Sequence, residues 1–156
     1  SILLMVVFLF FLFFPEALAK SSMKEPKVTK IPNLKLKSYN GRYLSTLCIY
    51  CIPSEEGRPK TQAIRPRSTE MWTLKYINNK EVALIGSNGK YLNHNNGNRA
   101  GYGERADEWE ILTPVENTDG SWSFRSRWGR WLSAYDRDNV DFMPENKACE
   151  HWWIEY

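Results

Sequence analysis

An all-β fold built from three repeated units is the class that this sequence predicts, and three observations predict it. One segment recurs, as LKLKSYNGRYLS from Leu34, VALIGSNGKYLN from Val82 and WSFRSRWGRWLS from Trp122. Leu34 and Leu36 alternate with lysines, Val82 and Leu84 with Ala83 and Ile85, and Trp122 and Phe124 with serines, the pattern of short strands. No stretch of the domain holds a helical period. A unit used three times implies one supersecondary element stacked on its own copies, because a single copy of about this length cannot bury an adequate core.

The elements follow in chain order. Residues 1–15 are almost wholly apolar, and Ala17 and Ala19 supply a small-residue cleavage pattern, so residues 1–19 are expected to be a signal peptide. The run is short of the roughly 20 residues that span a hydrocarbon core; a short N-terminal membrane anchor is the alternative. No base precedes the run. Residues 20–33, rich in Lys, Ser, Glu and Pro, read as a flexible lead-in, and residues 34–156 as one domain with repeats at about 34–77, 81–115 and 121–156. Without the leader there are 21 basic and 17 acidic residues, too even a balance to predict a nucleic-acid partner. The basic stretch from Arg58 to Arg67 reads as a solvated loop or as a weak patch for an anionic surface. No stable membrane span is expected once the leader is removed, and the domain is expected to be extracellular.

Each copy turns at a glycine. Asn40-Gly41 and Asn88-Gly89 are strong reversal signals, because both residue types tolerate positive φ. Trp128-Gly129 keeps the glycine and predicts a somewhat different turn. After each turn come a base, an aromatic and a leucine: Arg42-Tyr43-Leu44, Lys90-Tyr91-Leu92 and Arg130-Trp131-Leu132. The leucines are assigned to the core and the rings to the outside of the sheet. Each copy closes on a tryptophan with an aliphatic residue two places on, at Trp72 and Leu74, Trp109 and Ile111, and Trp152 and Ile154. Recurrence assigns all three tryptophans to the core. Residues 52–62 lengthen copy one and read as an inserted surface loop. Three units of about four strands each fit a closed arrangement in which three hairpins cap six strands and hide their edges.

These motifs resemble the repeats of the fascin-like β-trefoil family. The likeness rests on NGRYL with WTL, NGKYL with WEI, and WGRWL with WWI, and it runs from Leu34 to Tyr156. It implies a β-trefoil of three pseudo-symmetric repeats and, by family, contact with actin or another cytoskeletal filament. The chain departs from the family in having one trefoil where actin-bundling fascins have four, in its secretory leader, and in its tryptophans where phenylalanine is usual.

Cys48, Cys51 and Cys149 sit in a chain read as secreted, so a disulfide from Cys48 or Cys51 to Cys149 is expected, with the third thiol free or paired between chains. C-x-x-C redox chemistry lacks a helix start beside it, and zinc lacks a second pair of ligands. Neither metal nor cofactor is expected.

Candidate function lies where the copies differ. Trp128 puts a large ring at a reversal, and Trp153 points away from its neighbours as a second surface ring. Asn93, His94 and Asn96 follow the hairpin of copy two, while Tyr135, Asp136 and Asn139 follow that of copy three. A ring beside amides and carboxylates suits a sugar, which offers an apolar face and many hydroxyls. No phosphate loop, zinc-protease motif or nucleophile elbow is present, and no carboxylate pair stands out. The expected function is non-catalytic recognition of a carbohydrate or other cell-surface ligand, including an extracellular protein. The alternatives are the fascin-like cytoskeletal role and a structural or toxin-like role through protein contact.

Overall fold

The structure is a computed structural model that describes residues 28–47, 57–136 and 138–156. It is all-β. Twelve antiparallel strands follow in order: β1 (Lys30–Lys37), β2 (Tyr43–Ser45), β3 (Lys60–Ala63), β4 (Trp72–Tyr76), β5 (Val82–Ile85), β6 (Tyr91–Asn95), β7 (Arg99–Gly103), β8 (Leu112–Glu116), β9 (Trp122–Ser126), β10 (Trp131–Ser133), β11 (Asp141–Met143) and β12 (Trp153–Glu155). The expected leader, together with Cys48 and Cys51, lies outside the described residues. β1 starts at Lys30, within the segment expected as lead-in, because Ile31 already pairs with Leu74. Part of the expected copy-one loop is likewise strand, since β3 begins at Lys60.

β1 pairs with β2, β4 and β12. β5 pairs with β4, β6 and β8, and β9 with β8 and β10. The remaining hairpins join β2 to β3, β6 to β7 and β10 to β11. Trp122 in β9 bridges Trp152, the residue before β12. The core beneath these strands includes Leu34, Leu36, Leu84, Phe124 and Phe142, together with Leu44, Leu92 and Leu132, the leucines of the three recurring motifs. Among the described residues no helix is long and apolar enough to cross a membrane.

The three turns have one geometry. The N–H of Gly41 donates to the Ser38 carbonyl at 3.0 Å, that of Gly89 to Gly86 at 2.9 Å, and that of Gly129 to Ser126 at 3.0 Å. The glycines have φ of 81°, 76° and 77°, whereas Asn40, Asn88 and Trp128 are not left-handed. A different turn at Trp128 is therefore not needed, because positive φ falls only on the glycine. In the first two copies an asparagine Oδ1 accepts the N–H two residues on, at 3.2 Å from Arg42 and 3.1 Å from Lys90. In the third the Ser126 hydroxyl takes the Arg130 N–H at 3.4 Å.

The closing segments correct the alignment read from sequence. Trp72 and Trp152 are both fully buried, and their indole N–H groups donate to the carbonyls of Leu44 at 2.9 Å and Leu132 at 3.0 Å. Trp109 is not their counterpart. The N–H groups of Thr46, His94 and Ala134 donate to the carbonyls of Thr69, Trp109 and Cys149, each at 2.9 Å, so these three acceptors hold one place in the repeat. The residues that follow them are Glu70, Glu110 and Glu150, all buried, and the place of the buried tryptophan in copy two is taken by Leu112. Trp109 thus stands in a turn, three residues before the strand position it was expected to fill.

The expected disulfide to Cys149 is overturned, for Cys149 is a free thiol. It sits inside the short 3₁₀ turn Ala148–Glu150, and its side chain is engaged by the Tyr39 hydroxyl, whose pKa this hydrogen bond raises.

Close packing also makes a prediction. A Cβ at Gly86 would lie 2.5 Å from Thr46 Cγ2 and 3.3 Å from Trp72 Cζ3. Gly86→Ala is expected to cost about 1–3 kcal/mol by overpacking, read as a lower urea midpoint; an unchanged midpoint would show that Thr46 and the buried indole move aside freely.

Candidate functional site

The residues singled out from the sequence do not form one site, and Trp153, exposed on β12, lines neither of the clefts described below. Trp128 joins Asn93, His94 and Asn96. Asp136 and Asn139 lie in a second place, and Tyr135 lines a third.

At the first place Trp128 is 44% exposed and stacks on Trp109, which is 36% exposed, with ring centroids 3.8 Å apart and planes 18° from parallel. Both rings stand nearly at right angles to His94, at 5.8 Å and 6.1 Å. His94 is 2% exposed and lies flat on Phe142 at 4.5 Å. Its Nε2 meets Asn98 Oδ1 at 3.0 Å and its Nδ1 meets the Ser126 hydroxyl at 2.8 Å. An amide oxygen can only accept, so Nε2 carries the proton and Nδ1 accepts from the serine. His94 is thus the fixed base on which the tryptophan pair stands.

An open cleft runs along Trp109, lined also by Asn93, His94, Asn95, Asn96, Gly103 and Glu110. Trp109 forms its aromatic wall, and Trp128, which is not part of the lining, braces that wall from behind. Asn95, the last residue of β6, and Asn96, in the turn to β7, are exposed. Asn93 is divided: its side chain bonds the Glu110 carboxylate, as does the N–H of Asp107 at 3.3 Å, while its buried Oδ1 has no hydrogen-bond partner. Burial still pushes the Glu110 carboxyl above the usual range, because it outweighs those two contacts. Gly103 fits the same arrangement, since a Cβ there would come 2.8 Å from the carboxyl carbon of Glu110.

Asp136 and Asn139 belong to a polar junction between copies one and three. Asn139 donates to the Asp136 carboxylate at 3.0 Å and accepts from Lys60 Nζ at 2.5 Å. The Thr61 N–H donates to the Asp138 carbonyl at 2.8 Å, and Arg42 pairs with the Asp138 carboxylate at 2.6 Å. These groups spend their hydrogen bonds on the protein, and Lys60 is buried rather than part of a solvated loop. Tyr135, 63% exposed, lines a separate cleft with Met143 and Cys149. That cleft is the copy-three equivalent of the Trp109 cleft, with a thiol where copy two has the indole. Among the described residues no group of histidine, cysteine, aspartate and glutamate could hold a metal ion.

Trp109 is the functional candidate that sequence reasoning missed. The signal was present in Glu70, Glu110 and Glu150, which recur at an even spacing and fix the phase of each closing segment. No family model matches the chain, and no curated protein matches it.

His94 also sets a pH dependence. Burial lowers its pKa, and the Arg130 charge lowers it further against the opposing Asn98 bond. The unfolded chain, near pKa 6.5, then takes up a proton before the native state does. Stability is full above that value and declines as pH falls from it towards the native pKa. Urea unfolding at pH 8 and pH 5.5 should show this loss, and His94→Gln should reduce it; equal losses in both proteins would exclude His94 as its source.

Proposed function

We propose that this chain is a secreted, non-catalytic β-trefoil domain of fascin-like kinship that binds glycans in the Trp109 cleft. The trefoil reading is supported by six pairings which, followed in order, return to their start: β1 to β4, β4 to β5, β5 to β8, β8 to β9, β9 to β12 through the Trp122 and Trp152 bridge, and β12 to β1. The hairpins β2–β3, β6–β7 and β10–β11 fall outside that circuit, once per repeat.

The observation that carries the binding reading is the Trp109 wall, held upright by Trp128 and His94 beside two exposed amides. A pyranose presents C–H groups on its flat face and hydroxyls around its edge. The indole face takes the former; the Asn96 amide can both donate to and accept from the latter, while Asn95, whose Oδ1 already takes the Asn96 N–H at 2.7 Å, donates. An open, shallow cleft suits a terminal sugar on a surface glycan better than a sequestered substrate. A glycan array probed with the leaderless domain tests the reading: a signal that Trp109→Ala removes supports it, and no signal on any glycan overturns it. Filament co-sedimentation at physiological salt separates this reading from actin binding.

A further inference from the structure

We infer that a second cavity, sharing no residue with the Trp109 cleft, binds a small uncharged molecule carrying one apolar ring. The cavity holds about 160 Å³ and opens to solvent between β1, β4, β5, β8, β9 and β12. Its base is made by Leu34, Leu74, Val82 and Phe124, all buried. Ile31, Trp122 and Ile154, which are partly buried and pack on the core, continue its walls.

Size and chemistry fix the ligand class. A cavity of ~150 Å³ lined by aliphatic and aromatic side chains is enough to hold benzene; the space here admits one ring. No lysine, arginine, aspartate or glutamate lines it, so a charge carried inside would be desolvated without a partner. Water held against the base would find few hydrogen-bonding groups, and an apolar ring displaces such water favourably. The Trp122 and Phe124 rings offer edge or offset contacts to the incoming ring.

The test is a titration of the full chain, labelled with nitrogen-15, with toluene, p-cresol and benzoate. Toluene and p-cresol are expected to bind with dissociation constants on the order of 0.1–10 mM, shifting the amides of Ile31, Leu34, Leu74, Val82 and Ile154. Benzoate should bind at least about tenfold more weakly, because its carboxylate resists burial. Val82→Phe fills the base and should abolish the shifts. If that variant does not fold, Ile154→Phe at the wall provides the same block. Absence of shifts with toluene at its solubility limit, shifts that survive filling, shifts centred instead on Trp109, or equal binding of benzoate would each overturn the inference. The independence of the two sites means that failure of glycan binding leaves this result unaffected.

Discussion

Trp152→Ala is expected to cost about 3–5 kcal/mol of folding stability, the usual range for truncating a fully buried tryptophan, while Trp109→Ala costs about 1–2 kcal/mol. The two residues occupy matching positions in the W-x-aliphatic pattern of the sequence, yet their surroundings differ. Trp152 is fully buried, and its indole N–H is bonded to Leu132, so truncation opens a cavity and leaves that carbonyl without its donor. Trp109 loses mainly its stack on Trp128, and water fills the space left at the surface. With total stabilities of about 5–15 kcal/mol in domains of this kind, the first variant stands near the threshold of folding and the second does not. Urea unfolding at neutral pH measures both. Equal losses would mean that Trp109 belongs to the core after all.

Glycan affinity is expected to depend most on Trp109. Removing an aromatic ring that anchors a ligand costs about 2 kcal/mol or more, or roughly thirtyfold in affinity. Trp109→Ala should therefore weaken binding by at least this factor with the fold intact. Trp128→Ala should weaken it by about three- to tenfold, since it leaves the binding face in place and removes only its brace. Calorimetric titration with a glycan identified on the array gives both values. Undiminished affinity in Trp109→Ala, with loss in Tyr135→Ala, would move the site to the equivalent cleft of copy three.

Much of this arrangement was legible in the residues. The motif leucines Leu44, Leu92 and Leu132 are buried as alternation requires, and the turn glycines take positive φ where N-G pairs suggest a reversal. Trp128 and Trp153 are exposed, as a ring at a reversal and a ring between two inward residues should be. The site was legible only in part. His94 and Trp128 meet, but Tyr135, Asp136 and Asn139 face elsewhere, because a repeat places equivalent turns at different points of the molecule rather than side by side. Trp109 was misread for a different reason. Tryptophan followed two places later by an aliphatic residue occurs both inside a strand and across the end of a turn, and local spacing does not tell the two apart.

The repeat, the strands and the turns were determined by the sequence alone, for these depend on side-chain periodicity and backbone preference within a few residues. Which tryptophans are buried, which of the polar turns meet, and that Cys149 stands as a free thiol were decided only by the tertiary structure. Such contacts join residues far apart in the chain, and they depend on how the copies pack. The same local pattern that buries Trp152 therefore leaves Trp109 standing on His94 at the edge of an open cleft.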